Sequence, residues 1–458
     1  MKCIWSFIIA ILFIPTSACS KNDEIKKDAP KFISSTPQNN AANVSISTVV
    51  EVVFDEGIKL ASNHEITINA APANIKTSVN KLIFTEKLDF NTSYRINIPK
   101  GALVNNSFDI PLNNQIKFSF ITEDEPKVIS SMEFVANMGV GWNLGNTLDS
   151  KGNDETAWGN PKATQELINA ISEKGFKTLR VPVTWQYHMG AAPHYTIKKE
   201  WLDRVEEVVN YGLNKDMYVI VNIHHDEEWI IPTYAELGKS KDQLSKVWTQ
   251  IAKRFKGYDT RLIFETLNEA RLKDSPQEWS GGTAEGRDCI NQFHQVSINA
   301  IRETGDGNAQ RYIMVSTYAA SATNIAMDEL VLPSSNNLIV SIHNYYPYDF
   351  ALNENSKNIN WGTDADKDAL DNEFDKIYQI FIEKDIPVVM GEWGNLNHDN
   401  LEDRIRHAEY YASGCVKRGI CPIWWDNGYI GNFAIINRNN NEWLFPEIAD
   451  ALINASKK

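Results

Sequence analysis

The 458-residue chain has few cysteines and a deficit of positive charge. Of its five cysteines, Cys3 and Cys19 lie near the N-terminus, and only Cys289, Cys415 and Cys421 follow. This spacing is not that of a disulfide framework or a metal site, although Cys415 and Cys421 could still pair. The net charge of −14 argues against nucleic acids and anionic surfaces as partners and is compatible with a neutral polymer. We predict no metal and no cofactor.

The one long apolar run lies at the N-terminus. Met1–Lys2 is a short basic start, Ile4–Ile14 is almost wholly apolar, and Thr16–Cys19 supplies small residues and a cysteine. The run is too short to remain as a membrane-spanning helix. The pattern resembles a bacterial lipoprotein signal, with residues 1–18 as signal peptide, Cys19 as the lipidated residue and 19–30 as a tether. This resemblance implies lipid anchoring at the outer membrane, at the cell surface; simple secretion is the alternative.

Tryptophan is absent from residues 31–124, a segment in which apolar and polar residues alternate. Apolar positions recur with period two in 94–98 and in 116–120, and turn-forming residues separate these runs. Such alternation predicts a small all-β sandwich. The segment resembles bacterial Ig-like modules that precede surface enzymes. Without tryptophan for stacking on sugars, a spacer role is favoured over glycan binding.

From about Ser131 the pattern changes, because short β-rich runs alternate with helical stretches. Asn160 and Pro161 predict a helix N-cap and first turn, and Gly175 predicts the end of that helix. The fold class predicted for 131–458 is α/β, a (β/α)8 TIM barrel. A doubly wound sheet is the alternative, disfavoured because no glycine-rich phosphate turn follows the first run. The eight runs are 138–144, 178–183, 218–224, 262–268, 311–317, 338–345, 387–392 and 421–425.

Two glutamates lie at the ends of these runs: Glu269 directly follows the fourth, and Glu392 is the last residue of the seventh. A carboxylate at the end of a buried strand is costly unless it has a partner or a function. Catalytic groups of TIM barrels stand at the carboxyl ends of the strands, and a retaining glycosidase requires two carboxylates. Other polar or aromatic residues lie within the runs or at their ends, namely Arg180, His224, His225, Asn268, His343, Tyr345 and Trp425.

Several motifs around these positions resemble glycoside hydrolase family 5, the cellulase-type family, over roughly residues 131–450. They point to a subfamily of endo-β-1,4-glucanases that also includes xyloglucan and mixed-linkage glucan hydrolases. The family motif usually reads Asn-Glu-Pro, whereas Ala270 follows Glu269 here. The motifs are 141–148, 157–161, 179–183, 267–269, 343–345, 391–394 and 424–426.

The resemblance implies that Glu269 is the acid/base and Glu392 the nucleophile. It also implies supporting roles for Arg180, His224, Asn268, His343, Tyr345 and Trp425, with His225 as the alternative to His224. From the residues themselves, we expect Arg180 to lower the pKa of Glu392 and Tyr345 to donate to it. We expect Glu269 to lie in a more apolar setting, without an obvious cation, that raises its pKa.

Four tryptophans fall in loops predicted above the barrel: Trp158, Trp229, Trp279 and Trp361. Each could stack on a glucose unit or simply pack within its loop. The predicted function is a retaining endo-β-1,4-glucanase, active on cellulose-type, mixed-linkage or xyloglucan β-glucans. The alternatives are a β-mannanase or other plant-polysaccharide hydrolase, and a non-catalytic glycan-binding lipoprotein. The expected partners are the β-glucan and the outer membrane, with no nucleic acid, and the chain is expected to be a monomer.

Overall fold

The computed structural model describes residues 28–124 and 129–455. The chain divides into two compact units, the first ending at Val128 and the second beginning at Ile129. The predicted signal peptide, Cys19 and most of the predicted tether lie outside the described residues. Within those residues, no helix combines the length and apolar character needed to cross a membrane.

The first unit is all-β, as predicted. Its two larger sheets have the strand orders β1-β3-β8-β7 and β2-β11-β9-β5-β6, and β4 pairs with β10. In β9, Tyr94, Ile96 and Ile98 are buried while Ser93 and Arg95 are exposed, which is the predicted alternation. The strands β1–β11 span Phe32–Thr36, Ala41–Val44, Glu51–Phe54, Ile58–Leu60, Thr67–Ile68, Ala71–Pro72, Ile75–Ser78, Lys81–Phe84, Ser93–Ile98, Leu103–Asn105 and Ile116–Thr122.

The second unit is a closed barrel of eight parallel strands. Each strand overlaps one of the eight predicted runs, so the TIM-barrel prediction is confirmed. The doubly wound alternative is wrong because the first strand pairs with the last, as in Gly141 with Ile423. The strands β12–β19 span Gly141–Leu144, Thr178–Val181, Tyr218–Asn222, Leu262–Glu265, Ile313–Ser321, Leu338–His343, Val388–Trp393 and Cys421–Asp426.

Ten helices accompany these strands in the described part of the unit. The predicted start of the second helix is wrong, because Thr164 rather than Asn160 caps it, accepting a hydrogen bond from Leu167 N. Asn160 instead ties the loops after β12 and β19 together by donating to Asn146 O and Asn427 O. Helices α1–α10 span Ser131–Met138, Gln165–Lys174, Lys199–Leu213, Leu237–Phe255, Ala284–Arg302, Asn324–Asp328, Tyr348–Ala351, Asp364–Ile380, Leu401–Lys417 and Pro446–Ala455.

The remaining regular elements are short. Gly175 ends α2 in the left-handed region, with a φ of 116°, as predicted. Cys289, Cys415 and Cys421 are buried free thiols, so Cys415 and Cys421 do not pair. The hairpin β20–β21 spans Ile436–Asn437 and Glu442–Trp443, and three 3-10 turns span Gln186–His188, Asp306–Ala309 and Ile382–Lys384.

The interior of the barrel is apolar at its amino-terminal end. There, α1 contributes Phe134, Val135 and Met138 to a cluster with inward-facing strand residues such as Ile220 and Ile263. These side chains fill the barrel as a packed core. The polar inward-facing residues lie closer to the carboxyl ends of the strands, and this is where a site can form.

Arg311, just before β16, connects the start of β16 to the end of α4 and the start of β15. Its guanidinium is fully buried and donates to Asn308 Oδ1 and to four backbone carbonyls. Burial lowers the pKa of Arg311 to about 10, so the side chain stays charged at neutral pH. These carbonyls belong to the end of α4, the following loop and the start of β15, namely Phe255, Tyr258, Asp259 and Leu262.

We predict that Arg311→Met destabilises the barrel by about 3–5 kcal/mol, since it leaves buried carbonyls without a donor. Calorimetry of the intact protein would measure this as a lower midpoint of the barrel transition. The control is Arg261→Met, at the residue just before β15. Arg261 is partly exposed and pairs with Asp216 and Asp259, so its loss should cost no more than about 1 kcal/mol. Equal losses in the two variants would refute the role assigned to Arg311.

Candidate active site

Eight of the predicted site residues line one cleft at the carboxyl ends of the barrel strands, with a volume of about 1020 Å³. Arg180 lies beneath the cleft and is fully buried. Trp158 is half-buried, and its ring lies 5.5 Å from that of His225 at the cleft margin. The structure therefore brings together residues from six strands. The eight lining residues are His224, His225, Asn268, Glu269, His343, Tyr345, Glu392 and Trp425.

Glu392 is the penultimate residue of the buried strand β18 and is held from two sides. Arg180 Nη1 donates to Glu392 Oε1 at 2.7 Å, and the Tyr345 hydroxyl donates to Oε2 at 3.1 Å. Burial raises the pKa of Glu392 above its ordinary value, and the charges of His343 and Arg180 limit that rise. Arg180 thus acts in the predicted direction, although the net shift is upward because burial is the larger effect. Burial also raises the pKa of Tyr345 well above 10, so its hydroxyl remains a donor.

Glu269 does not lie in the setting predicted for it. His343 Nδ1 is 2.8 Å from Glu269 Oε1, and Arg271 is also nearby. Burial raises the pKa of Glu269, but the hydrogen bond and charge of His343, together with the charges of Arg271 and His225, lower it by more. The expectation of an apolar setting with a raised pKa was wrong, because His343 comes from β17, 74 positions along the chain.

His343 connects the two glutamates. Its Nδ1 lies 2.8 Å from Glu269 and 3.6 Å from Glu392 Oε2. Burial lowers the pKa of His343, and the two carboxylates raise it by more. Three groups in such contact titrate as one unit, so a proton between Glu269 and His343 belongs to their hydrogen bond rather than to either residue. One acidic proton is thereby kept beside Glu269.

Arg180 connects residues from four parts of the barrel. Besides Glu392, its guanidinium donates to Asn143 Oδ1 at 2.9 Å, Asn268 Oδ1 at 2.8 Å and Glu265 Oε2 at 2.8 Å. Sequence reasoning missed Asn143 and Glu265. Asn143 lies inside the quoted 141–148 motif, and Glu265 is a charged residue within an apolar strand, which is a signal that could have been used.

His224 faces Glu392 as a neutral donor. Its Nδ1 accepts from Asn222 Nδ2 at 3.0 Å, so Nε2 carries the hydrogen, 3.9 Å from Glu392 Oε1. Burial holds the pKa of His224 well below its ordinary value. His225 also lines the cleft, but its Nδ1 is engaged with Glu227 at 3.2 Å. Of these two histidines, His224 is therefore the one that contacts Glu392, and the preference for it over His225 stays a prediction.

Trp425 forms an apolar wall of the cleft. Its ring is parallel to that of His224 at 6.0 Å and packs with Phe433 and Leu396. Gly145 leaves room for it, because a Cβ there would lie 2.6 Å from the indole. This close approach explains a glycine in the 141–148 motif.

The four loop tryptophans have different environments. Trp279 is 56% exposed, lines the cleft and lies over the Arg271 guanidinium at 4.1 Å. Trp229 and Trp361 are buried, at 8% and 3% exposure, so the packing interpretation holds for them. Only Trp279 and the half-buried Trp158 present surface that a ligand could use.

Similarity to known proteins agrees with this geometry. Residues 143–431 match the family model for cellulase (glycosyl hydrolase family 5), and residues 26–122 match a bacterial Ig-like domain. The chain is 49% identical over 331 residues to cellulase/esterase CelE of Acetivibrio thermocellus. That match covers 71% of this chain but 40% of the relative, so the chain spans less than half of that protein's length.

Two solved structures are similar as well. A GH5-4 broad specificity endoglucanase from Clostridium acetobutylicum is 50% identical, with a TM-score of 0.70 over 71% of this chain and all of the other. The complex of ZgEngAGH5_4 with a cellotriose is 56% identical, also with a TM-score of 0.70, over 71% of this chain and 99% of the other. The chain therefore belongs to glycosyl hydrolase family 5, and its barrel is a cellulase-like glycoside hydrolase domain.

Proposed function

We propose that the protein is an endo-β-1,4-glucanase that hydrolyses β-glucan with retention of configuration, with Glu392 as nucleophile and Glu269 as acid/base. The observation that carries this proposal is the spacing of the two carboxylates. One oxygen of Glu269, one of Glu392 and a ring nitrogen of His343 all lie within 4.8 Å of one another. Retaining glycosidases have their carboxyl groups about 5–5.5 Å apart, whereas inverting enzymes need about 6.5–9.5 Å for a water.

In the first step, Glu392 attacks the anomeric carbon while Glu269 protonates the departing glycosidic oxygen. Arg180 and Tyr345 orient the attacking carboxylate through their hydrogen bonds. The proton comes from the Glu269–His343 hydrogen bond, moving from Nδ1 to Oε1 whenever His343 holds it. In the second step, Glu269 removes a proton from water, the water oxygen attacks the anomeric carbon, and Glu392 leaves.

The remaining site residues hold the sugar. Asn268 uses Oδ1 to accept from Arg180, which leaves its Nδ2 to donate to a sugar hydroxyl. His224 supplies a second donor through Nε2. Trp425 presents a flat apolar face suited to a pyranose ring. The electron-rich face of Trp425 also favours the positive charge that develops at the anomeric carbon, so this contact gains strength in the transition state.

Substrate class follows from the open cleft and from the relatives. Trp279 lies on the loop after β15 and Trp158 on the loop after β12, so apolar surface extends beyond the catalytic pair. An extended site suits attack within a chain. Binding of cellotriose by one similar protein and the broad specificity of another support β-1,4-glucan, with mixed-linkage glucan and xyloglucan as further substrates. β-Mannanase activity and non-catalytic glycan binding are the alternatives.

We predict that Glu269→Gln and Glu392→Gln fail in different ways. Glu392→Gln should abolish cleavage of glucan and of an aryl β-cellobioside, since neither can be attacked. Glu269→Gln should slow glucan hydrolysis by about 10²–10⁴-fold. It should still release a burst of aryl alcohol from a substrate whose leaving group needs no proton, because only the second step then lacks its base.

Glu207→Gln is the matched control, because Glu207 lies on α3, does not line the cleft and forms a partly exposed ion pair with Arg204. Its rates should stay within about twofold of wild type, since it loses only a partly exposed ion pair. A burst from Glu392→Gln, or equal losses on both substrates for Glu269→Gln, would contradict the assigned roles.

The preferred polymer can be measured with carboxymethylcellulose, barley mixed-linkage glucan, xyloglucan and glucomannan. We expect the glucans to be cut faster than mannan-rich chains, with viscosity falling well before reducing ends accumulate. Glu392→Gln serves as the control for contaminating activity. Faster cleavage of mannan than of every glucan would favour β-mannanase, and binding without cleavage would favour the non-catalytic alternative.

We also propose that the mature protein begins at Cys19 and is lipid-anchored at the outer membrane. In this arrangement residues 19–30 form a tether, 31–124 a spacer domain and 131–458 the catalytic domain. Support comes from the signal-like N-terminal sequence and from the match of 26–122 to an Ig-like domain.

Cys19→Ser should move the protein from the membrane fraction to the soluble fraction after expression in a Gram-negative host with lipoprotein processing. The physical reason is loss of the acyl chains that hold the protein in the bilayer. Cys289→Ser, at a buried thiol, is the control and should stay with the membrane. Unchanged membrane association of Cys19→Ser would refute the anchor.

A further inference from the structure

A third carboxylate, that of Glu265, lies beneath the two proposed catalytic glutamates. It is fully buried at the end of β15. Arg180 approaches it through Nε at 2.8 Å and Nη2 at 2.7 Å. Asn222 Nδ2 donates to Oε2 at 2.9 Å and the Ser341 hydroxyl donates to Oε1 at 2.6 Å. Every oxygen of Glu265 is thus hydrogen-bonded, with no exposure to a substrate.

Arg180 has one positive charge and two carboxylate partners. It donates through Nη1 to Glu392 while its Nε and Nη2 face Glu265. When Glu265 and Glu392 are both ionised, the buried cluster of Arg180 and these two carboxylates carries a net charge of about −1. A buried charge without full compensation is unfavourable, so the two carboxylates compete for the same cation.

The other groups around these carboxylates do not remove the competition. Near Glu265, His294 of α5 is neutral at pH 7, since burial lowers its pKa to about 4. Near Glu392, His224 is held neutral by burial, Tyr345 stays protonated, and His343 is shared with Glu269. Within the described part of the chain, Arg180 is the cation that forms an ion pair with Glu265.

We infer that Glu265 is a positioning residue that fixes the Arg180 guanidinium and, by sharing its charge, limits how strongly Arg180 stabilises the Glu392 anion. The inference rests on the proposed roles of Glu269 and Glu392. A nucleophile must attack and later leave, and a carboxylate neutralised too completely attacks weakly. Glu265 therefore sets the balance between holding Glu392 ionised and leaving it reactive.

Glu265→Gln tests this idea because the amide fits the same site. The glutamine oxygen can accept from Arg180 and Asn222, and its NH2 group can donate to the Ser341 hydroxyl, which is able to accept as well as donate. The hydrogen bonds are retained and one negative charge is removed. The Arg180 charge then acts on Glu392 alone.

The measurement is the pH profile of kcat/KM on an aryl β-cellobioside, whose first step needs little help from Glu269. The acid limb reports ionisation of the nucleophile within the coupled group. Removing a nearby negative charge favours the Glu392 anion, so its pKa falls. We expect the acid limb of Glu265→Gln to move to lower pH by about one unit, with a lower plateau of kcat/KM.

Glu155→Gln is the matched control. Glu155 is also a buried carboxylate, 2% exposed, and is bound by Arg204 at 2.6 Å on the outside of the barrel near α3. The Glu155→Gln substitution should lower the midpoint of thermal unfolding and leave the acid limb of the kcat/KM profile at the wild-type pH. An acid limb of Glu265→Gln that stays at the wild-type pH, or moves upward, would overturn the charge-sharing role.

Glu265→Asp provides a second test that keeps the charge. Its carboxylate is withdrawn by one methylene, so Arg180 loses its position while the acid limb should move little. We expect kcat/KM to fall about tenfold or more, and wild-type activity in this variant would refute the positioning role. A wild-type protein inactive on glucan would instead refute the proposed function, which separates the two failures.

Discussion

The active-site end of the barrel depends on one buried cation. Arg180 on β13 donates to side chains from β12, from β15 and the loop that follows it, and from β18. A buried guanidinium needs charged and polar partners at fixed distances, and its planar fork allows little adjustment. The Arg180 guanidinium therefore couples the positions of its four partners, Asn143, Glu265, Asn268 and Glu392. The register of the strands that carry them depends on this one side chain.

The two glutamates differ because their neighbours differ. Glu392 is held by Arg180 and by the Tyr345 hydroxyl, which stabilise an ionised and oriented carboxylate. Glu269 is hydrogen-bonded to His343, a group that can hold or return a proton. Because His343 contacts both glutamates, protonation of one changes the charge seen by the other. Two identical side chains thus lie in different electrostatic surroundings.

Much of this arrangement was predictable from local patterns. Eight apolar runs ending in polar residues predict a barrel, and parallel strands in a barrel bring their carboxyl ends to one face. Glu269, Glu392, Arg180 and Trp425 do lie together at that face. Contacts between distant elements were not predictable in this way, and His343 beside Glu269 and Asn222 beside Glu265 are such cases.

The exposure of the loop tryptophans was also not predictable from the sequence. Trp229 and Trp361 are buried while Trp279 is exposed, and nothing in their local sequence distinguishes them. The alternation of elements, the two strand-end glutamates and the family motifs can be recognised in the sequence, because they depend on residue type and spacing along the chain. The charge next to each glutamate, and the sharing of one arginine between Glu265 and Glu392, follow from the three-dimensional fold, because electrostatic interactions depend on distances between residues far apart in sequence.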